Sequence, residues 1–121
     1  MSAMNGRVQG VLDEGAILDR VGGDRMLLRE IAGLFLSESP KTLAEMRDAL
    51  AHRDVDRFFI AAHRLRGSVS NFSAASALGA AVRVERIGRD RELLGAEAAC
   101  VDLEREIDRV RAALLDLITR D

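Results

Sequence analysis

Neither tryptophan nor tyrosine occurs in this 121-residue chain, and aromatic residues make up only 3% of it. That scarcity removes the stacking platform on which single-stranded nucleic acids are commonly bound. β-Branched residues are sparse as well, which argues against a sheet. The single cysteine, Cys100, excludes an intrachain disulfide and fits a reducing compartment. No apolar run is long enough to cross a membrane, and the opening MSAMNGRVQG lacks the apolar core of a secretory signal. A net charge of -2 gives no global basic field to attract nucleic acid. The expectation is a cytoplasmic protein that engages neither membrane nor nucleic acid.

What remains is a chain of alanine, leucine, arginine and glutamate, the composition of helices. Its length suits one domain with one core. Residues 1–11 read as a flexible lead-in and 12–121 as the domain. Asp13 is a helix N-cap, and Gly22-Gly23 ends that short helix. Asp24 caps the next, where Leu27, Leu28, Ile31, Leu34 and Phe35 recur at helical spacing and Leu43, Met46 and Leu50 continue the stripe. Ser39-Pro40 reads either as a fresh helix start or as a kink inside one long helix. Asp54 caps a helix whose buried face is Phe58, Ala62, Leu65, Val69 and Phe72. A break near Asn71-Phe72-Ser73 precedes another helix marked by Ala77, Ala81, Val84 and Ile87. The last carries an apolar seam from Leu93 and Ala96 through Cys100, Leu103, Ile107, Val110 and Leu114 to Leu117. Amphipathic helices bury such stripes only against one another. The fold predicted is all-α, an antiparallel four-helix bundle with a short additional N-terminal helix.

One residue stands out chemically. At about 100° per residue, His63 shares a face with Phe59, Arg66, Gly67 and Ser70, away from the buried stripe, so it projects into solvent from mid-helix. Imidazole is nucleophilic when neutral. A phosphorylated imidazole carries anionic oxygens that the Arg66 guanidinium, one turn on, is placed to pair with. Gly67 costs the helix roughly 1 kcal/mol relative to alanine. Such a residue mid-helix suggests close approach of a partner backbone, and Phe59, if exposed, adds an apolar contact. Each has a blander reading: Arg66 as a solvated charge, Gly67 as a packing glycine, Asn71 as a helix end. The other histidine, His52, is separated from His63 by the break at Arg53-Asp54, and no Glu-x-x-His pair accompanies either. A dimetal site is therefore not expected.

The run His63-Arg64-Leu65-Arg66-Gly67-Ser68, followed by Asn71-Phe72-Ser73-Ala74, resembles the signature of histidine phosphotransfer (HPt) domains, commonly His-x-Leu-Lys-Gly-Ser and then Asn-x-Gly-Ala. Leu18-Asp19-Arg20-Val21-Gly22-Gly23-Asp24, Ala49-Leu50-Ala51-His52-Arg53-Asp54 and Val84-Glu85 are similar to other parts of that family. The resemblance implies that His63 is a phosphoacceptor, with Arg66 stabilising the phosphoryl group. It implies that Phe59, Arg64, Gly67, Ser68, Ser70 and Asn71 dock partners. Those partners are receiver domains of response regulators and a hybrid sensor histidine kinase. Mg²⁺ is expected on the receiver, with no cofactor or metal on this chain, and the protein is a relay rather than a kinase.

Two departures stand out. Arg66 replaces the usual lysine and is expected to hold the phosphoryl group differently or to alter partner preference. Ser73 replaces the usual glycine, and serine suits that turn only where no positive φ is needed, so a different turn is expected. A non-catalytic helical adaptor is the competing function, and an excised kinase domain a further one. The starting methionine and full bundle favour a free-standing monomer.

Overall fold

The computed structural model describes residues 11–120. The expected lead-in over 1–11 lies outside them except for Val11, which packs against the core beside fully buried Leu12. The helices are α1 (Glu14–Arg20), α2 (Arg25–Ala51), α3 (Val55–Val69), α4 (Ala75–Arg89) and α5 (Ala96–Thr119), with a single 3₁₀ turn at Ser70–Phe72. No strand occurs among the described residues. Helices α2 to α5 form the four-helix bundle, each packing on its chain neighbour and α5 closing against α2. The short α1 rests on α2 and the 3₁₀ turn.

Three aspartates start helices as expected. Asp13, Asp24 and Asp54 accept from the backbone N–H groups of Ala16, Leu27 and Arg57 at 3.0, 3.0 and 3.1 Å. Helix α1 ends with Gly23 donating to the Leu18 carbonyl and Gly22 to that of Asp19, and the left-handed φ of both glycines makes that closure possible. The predicted face of α3 is buried throughout, and the seam of α5 is buried from Ala96 to Leu117, whereas Leu93, expected to open that seam, precedes the helix and is half-buried. On α2 the stripe is narrower than expected. Leu28, Ala32, Phe35 and Met46 are buried, whereas Leu27 and Leu34 face outward, because they lie on the flank of α2 turned from the bundle axis.

Pro40 interrupts nothing: α2 runs unbroken through it. Proline has no N–H to give the carbonyl four residues back, which here belongs to Leu36. Arg111 of α5 supplies the donor instead, its Nη2 lying 3.1 Å from the Leu36 oxygen. Ser73 corrects the expected turn. It adopts φ 49° and ψ 39°, so the left-handed conformation is kept at the ordinary cost of placing a Cβ there.

Candidate functional site

The site forms where α3 and α4 come closest. A Cβ on Gly88 would lie 2.9 Å from the Cα of Phe59, well inside van der Waals contact, so only glycine permits this approach. One turn along each antiparallel helix from that crossing lie His63 and Glu85. The His63 side chain is 58% exposed, the Glu85 side chain 4%, and His63 Nδ1 stands 2.5 Å from Glu85 Oε2. Burial pushes the Glu85 carboxyl up, but the His63 hydrogen bond and the Arg66 charge outweigh it and hold the group below its ordinary value. An ionised carboxylate only accepts, so Nδ1 is the donor. In the neutral ring that arrangement puts the lone pair on Nε2, on the side away from Glu85.

The other carboxylate oxygen gathers guanidinium groups. Arg66 Nε lies 2.6 Å from Glu85 Oε1 and Arg89 Nη2 3.7 Å from the same atom. The Arg66 contact is thus a close ion pair on the buried carboxylate. Arg66 Nη2 also reaches to 3.5 Å from His63 Nδ1. The Phe59 ring stacks on His63 with centroids 5.9 Å apart, and Arg89 sits over the Phe59 ring at 5.9 Å.

The remaining residues named from the sequence fall into two groups. Arg64, Ser68 and Asn71 border a groove of about 490 Å³ between α3 and α2, with Ile31, Leu34 and Phe35 on its far side. Arg64 also pairs with Glu45 at 3.1 Å. Exposed Gly67 and half-buried Ser70 lie beyond His63, where the Ser70 hydroxyl donates to the Gly67 carbonyl at 2.7 Å. A Cβ on Gly67 would meet nothing within 4 Å, which removes intramolecular packing as its reason. Phe59 is half-buried under the imidazole. The exposed apolar residue one turn before His63 is Ile60, which the sequence reading passed over.

Glu85, Gly88 and Arg89 were also missed as site residues. The spacing of Glu85 and Arg89, four and eight residues after Ala81, was the available signal, but it does not reveal what α4 packs against. His52 lies at the C-cap of α2, its Nδ1 2.9 Å from the Asp48 carbonyl, and shares nothing with His63. Among the described residues no cluster of histidine, cysteine and carboxylates has the makings of a metal site. Cys100 is buried, which pushes its thiol up to about 11.

The sequence pattern of the Hpt domain matches residues 30–113. The chain belongs to the Hpt domain family. That membership gives this Hpt domain a phosphotransfer role in two-component signalling, as a carrier rather than a kinase. Its fold is similar to that of histidine-containing phosphotransfer protein B from Pseudomonas aeruginosa PAO1. That similarity has a TM-score of 0.83 at 24% identity, over 91% of this chain and 96% of the other. It is also similar to the HPT domain of a sensor hybrid histidine kinase from Shewanella. There the TM-score is 0.78 at 18% identity, over 93% of this chain and 97% of the other. No curated protein sequence matches the chain. No helix among the described residues is long and apolar enough to cross a membrane.

Proposed function

We propose that this Hpt domain relays a phosphoryl group through His63, between an aspartate on the receiver domain of a hybrid kinase and one on a response regulator. The observation that carries the reading is an exposed imidazole whose Nδ1–H is held by a buried, ionised carboxylate. With that proton fixed, Nε2 attacks the phosphorus of an aspartyl phosphate. The P–N bond forms, the O–P bond breaks, and the aspartate leaves as a carboxylate. No proton has to move, because the Nδ1 proton stays on the ring, hydrogen-bonded to the Glu85 carboxylate. The imidazolium character of the phosphorylated ring is neutralised by Glu85. The same ring is then a good leaving group when a second receiver's aspartate attacks the phosphorus. Mg²⁺ on the receiver supplies most of the charge stabilisation, and this protein contributes position.

Arg66 steadies Glu85 through Nε and presents its outer edge towards the transferred group. Ile60, Gly67, Ser70 and the groove bordered by Arg64, Ser68 and Asn71 form the docking face. The test is intact-protein mass after exposure to a small phosphoramidate, comparing the parent with His63→Gln. One acid-labile phosphoryl adduct on the parent, absent from the variant, supports the relay. A folded parent that takes no phosphate, or a variant that takes as much, leaves a helical docking adaptor instead.

A further inference from the structure

We infer that Phe59 is a positioning residue: its ring fixes the plane of the His63 imidazole, so that Nε2 and not Nδ1 takes the phosphoryl group. The inference rests on the relay proposed above. The exposed His63 side chain has its close polar contact at one atom, Nδ1, with Glu85 Oε2. A bond to a single ring atom leaves the ring free to pivot about it, and an exposed side chain is free to change rotamer. What restrains the plane is Phe59, one turn back on α3. Its ring lies 25° from parallel with the imidazole at a centroid separation of 5.9 Å, within the range of offset aromatic pairs. Phe59 is itself restrained. Its Cα is the first atom that a Cβ on Gly88 would meet, at 2.9 Å, so its backbone is held in the α3–α4 crossing, and the Arg89 guanidinium lies over its ring. Being half-buried, it offers a partner less surface than Ile60, the exposed apolar residue beside it.

The two contacts act on different freedoms of the ring. Glu85 occupies Nδ1, and Phe59 keeps the ring in the plane where that bond is made and Nε2 faces outward. Without the Phe59 face, rotamers that turn the ring into solvent break the Glu85 bond and make the Nε2–H tautomer available. That tautomer carries its lone pair on Nδ1, so attack comes from the wrong nitrogen. With phosphoramidate the step balances alike at either atom. A ring lone pair forms the new P–N bond, the donor's own P–N bond breaks, ammonia leaves, and the proton on the other ring nitrogen stays. Only the position differs. A phosphoryl group on Nδ1 stands nearer the helix backbone and forfeits the Glu85 bond, so a docked receiver meets it off the line of attack.

The experiment loads the protein with phosphoramidate and measures the ratio of Nδ1- to Nε2-phosphohistidine by phosphorus NMR at early times. All samples carry His52→Gln, which leaves His63 as the one histidine. The variants are Phe59→Tyr, which keeps the flat ring, Phe59→Leu, which keeps apolar bulk without a flat face, and Phe59→Ala. Nitrogen shifts of the unphosphorylated ring give the tautomer ratio in the same samples. The parent and Phe59→Tyr should carry the phosphoryl group on Nε2. The ratio should rise about two- to tenfold in Phe59→Leu and Phe59→Ala, the range set by one aromatic pair, with the tautomer ratio moving the same way. The inference is overturned if Leu restores the parent's ratio, since bulk alone then suffices, if Ala matches the parent, or if Tyr behaves as Ala. Should Phe59→Ala not fold, the Tyr and Leu variants decide between the same outcomes. A parent phosphorylated equally at both nitrogens keeps an accepting histidine but overturns the positioning role, whereas a parent that takes no phosphate overturns the relay as well.

Discussion

At the scale of single residues, the site is organised by one buried acid. Glu85 does for His63 what no residue on α3 can, since residues on the same helix cannot approach the ring from the facing helix. Replacing it with glutamine keeps the shape but removes the charge that sustains Nδ1–H donation and anchors Arg66 and Arg89. Glu85→Gln is expected to lose about 1–2 kcal/mol of stability at neutral pH, the scale of a charged hydrogen bond with partly exposed partners. It should also accept phosphate more slowly from a small donor. The stability loss has a pH signature. The Glu85 carboxyl lies below its ordinary 4.5 in the folded state, so its stabilisation is complete above that pH and is lost as pH falls through the lower folded value. Denaturant melts of parent and variant should differ at pH 7 and converge in acid. A gap that stayed constant as pH fell to the most acid value at which the fold survives would show that the contribution of Glu85 is not ionic.

Among the elements, two glycines of the same composition have opposite meanings. Gly88 marks the tight crossing of α3 and α4, so Gly88→Ala should force the helices apart. The expected loss is about 1–3 kcal/mol, with slower phosphate uptake because Glu85 moves with α4. A Cβ added at Gly67 meets nothing, so Gly67→Ala should raise stability by up to about 1 kcal/mol through helix propensity. Uptake from phosphoramidate should be unchanged, while transfer from a receiver domain slows. Equal slowing with both donors would remove Gly67 from the docking face. Pro40 shows the same dependence on a neighbour. Arg111→Met removes the donor to the Leu36 carbonyl and should cost about 1 kcal/mol, read as a lower midpoint in urea with an unchanged slope.

These contrasts mark how far the sequence was legible. Aspartate caps, the two-glycine stop and the α5 seam depend on neighbours within a turn or two, and Asp13, Asp24, Asp54 and the Cys100 stripe appear where their spacing puts them. His63 and its outward direction follow from the face of one helix. The residues that were not legible owe their roles to a second helix. Glu85 becomes the partner of His63 only when α4 packs on α3, Gly88 matters only at that crossing, and Arg111 reaches Leu36 only across the α2–α5 contact. Leu34 shows the reverse case: its periodicity is that of a core residue, yet it stands at 64% exposure. Apolar identity alone does not say which flank of a stripe the bundle covers.

For the molecule as a whole, a net charge of -2 conceals an uneven distribution. Arg66 and Arg89 gather beside His63, and Glu85, the acid they share, is buried. Encounter with an acidic receiver pocket should therefore be steered locally, over a Debye length of about 8 Å at physiological salt. The transfer rate from a phosphorylated receiver is expected to fall as salt rises from 50 to 500 mM, while loading by phosphoramidate changes little. A salt-independent receiver rate would mean that apolar contact alone brings the two together.

The placement of Nε2 on one crest of one helix has a consequence for traffic. Under the proposed relay, arrival and departure share a single berth, so a donor receiver must vacate it before an acceptor can dock. Raising the concentration of either unphosphorylated partner would then congest the exchange rather than hasten it. Throughput would peak where the two compete evenly, and the length of time the loaded histidine survives between visits would set how sparse those partners can be.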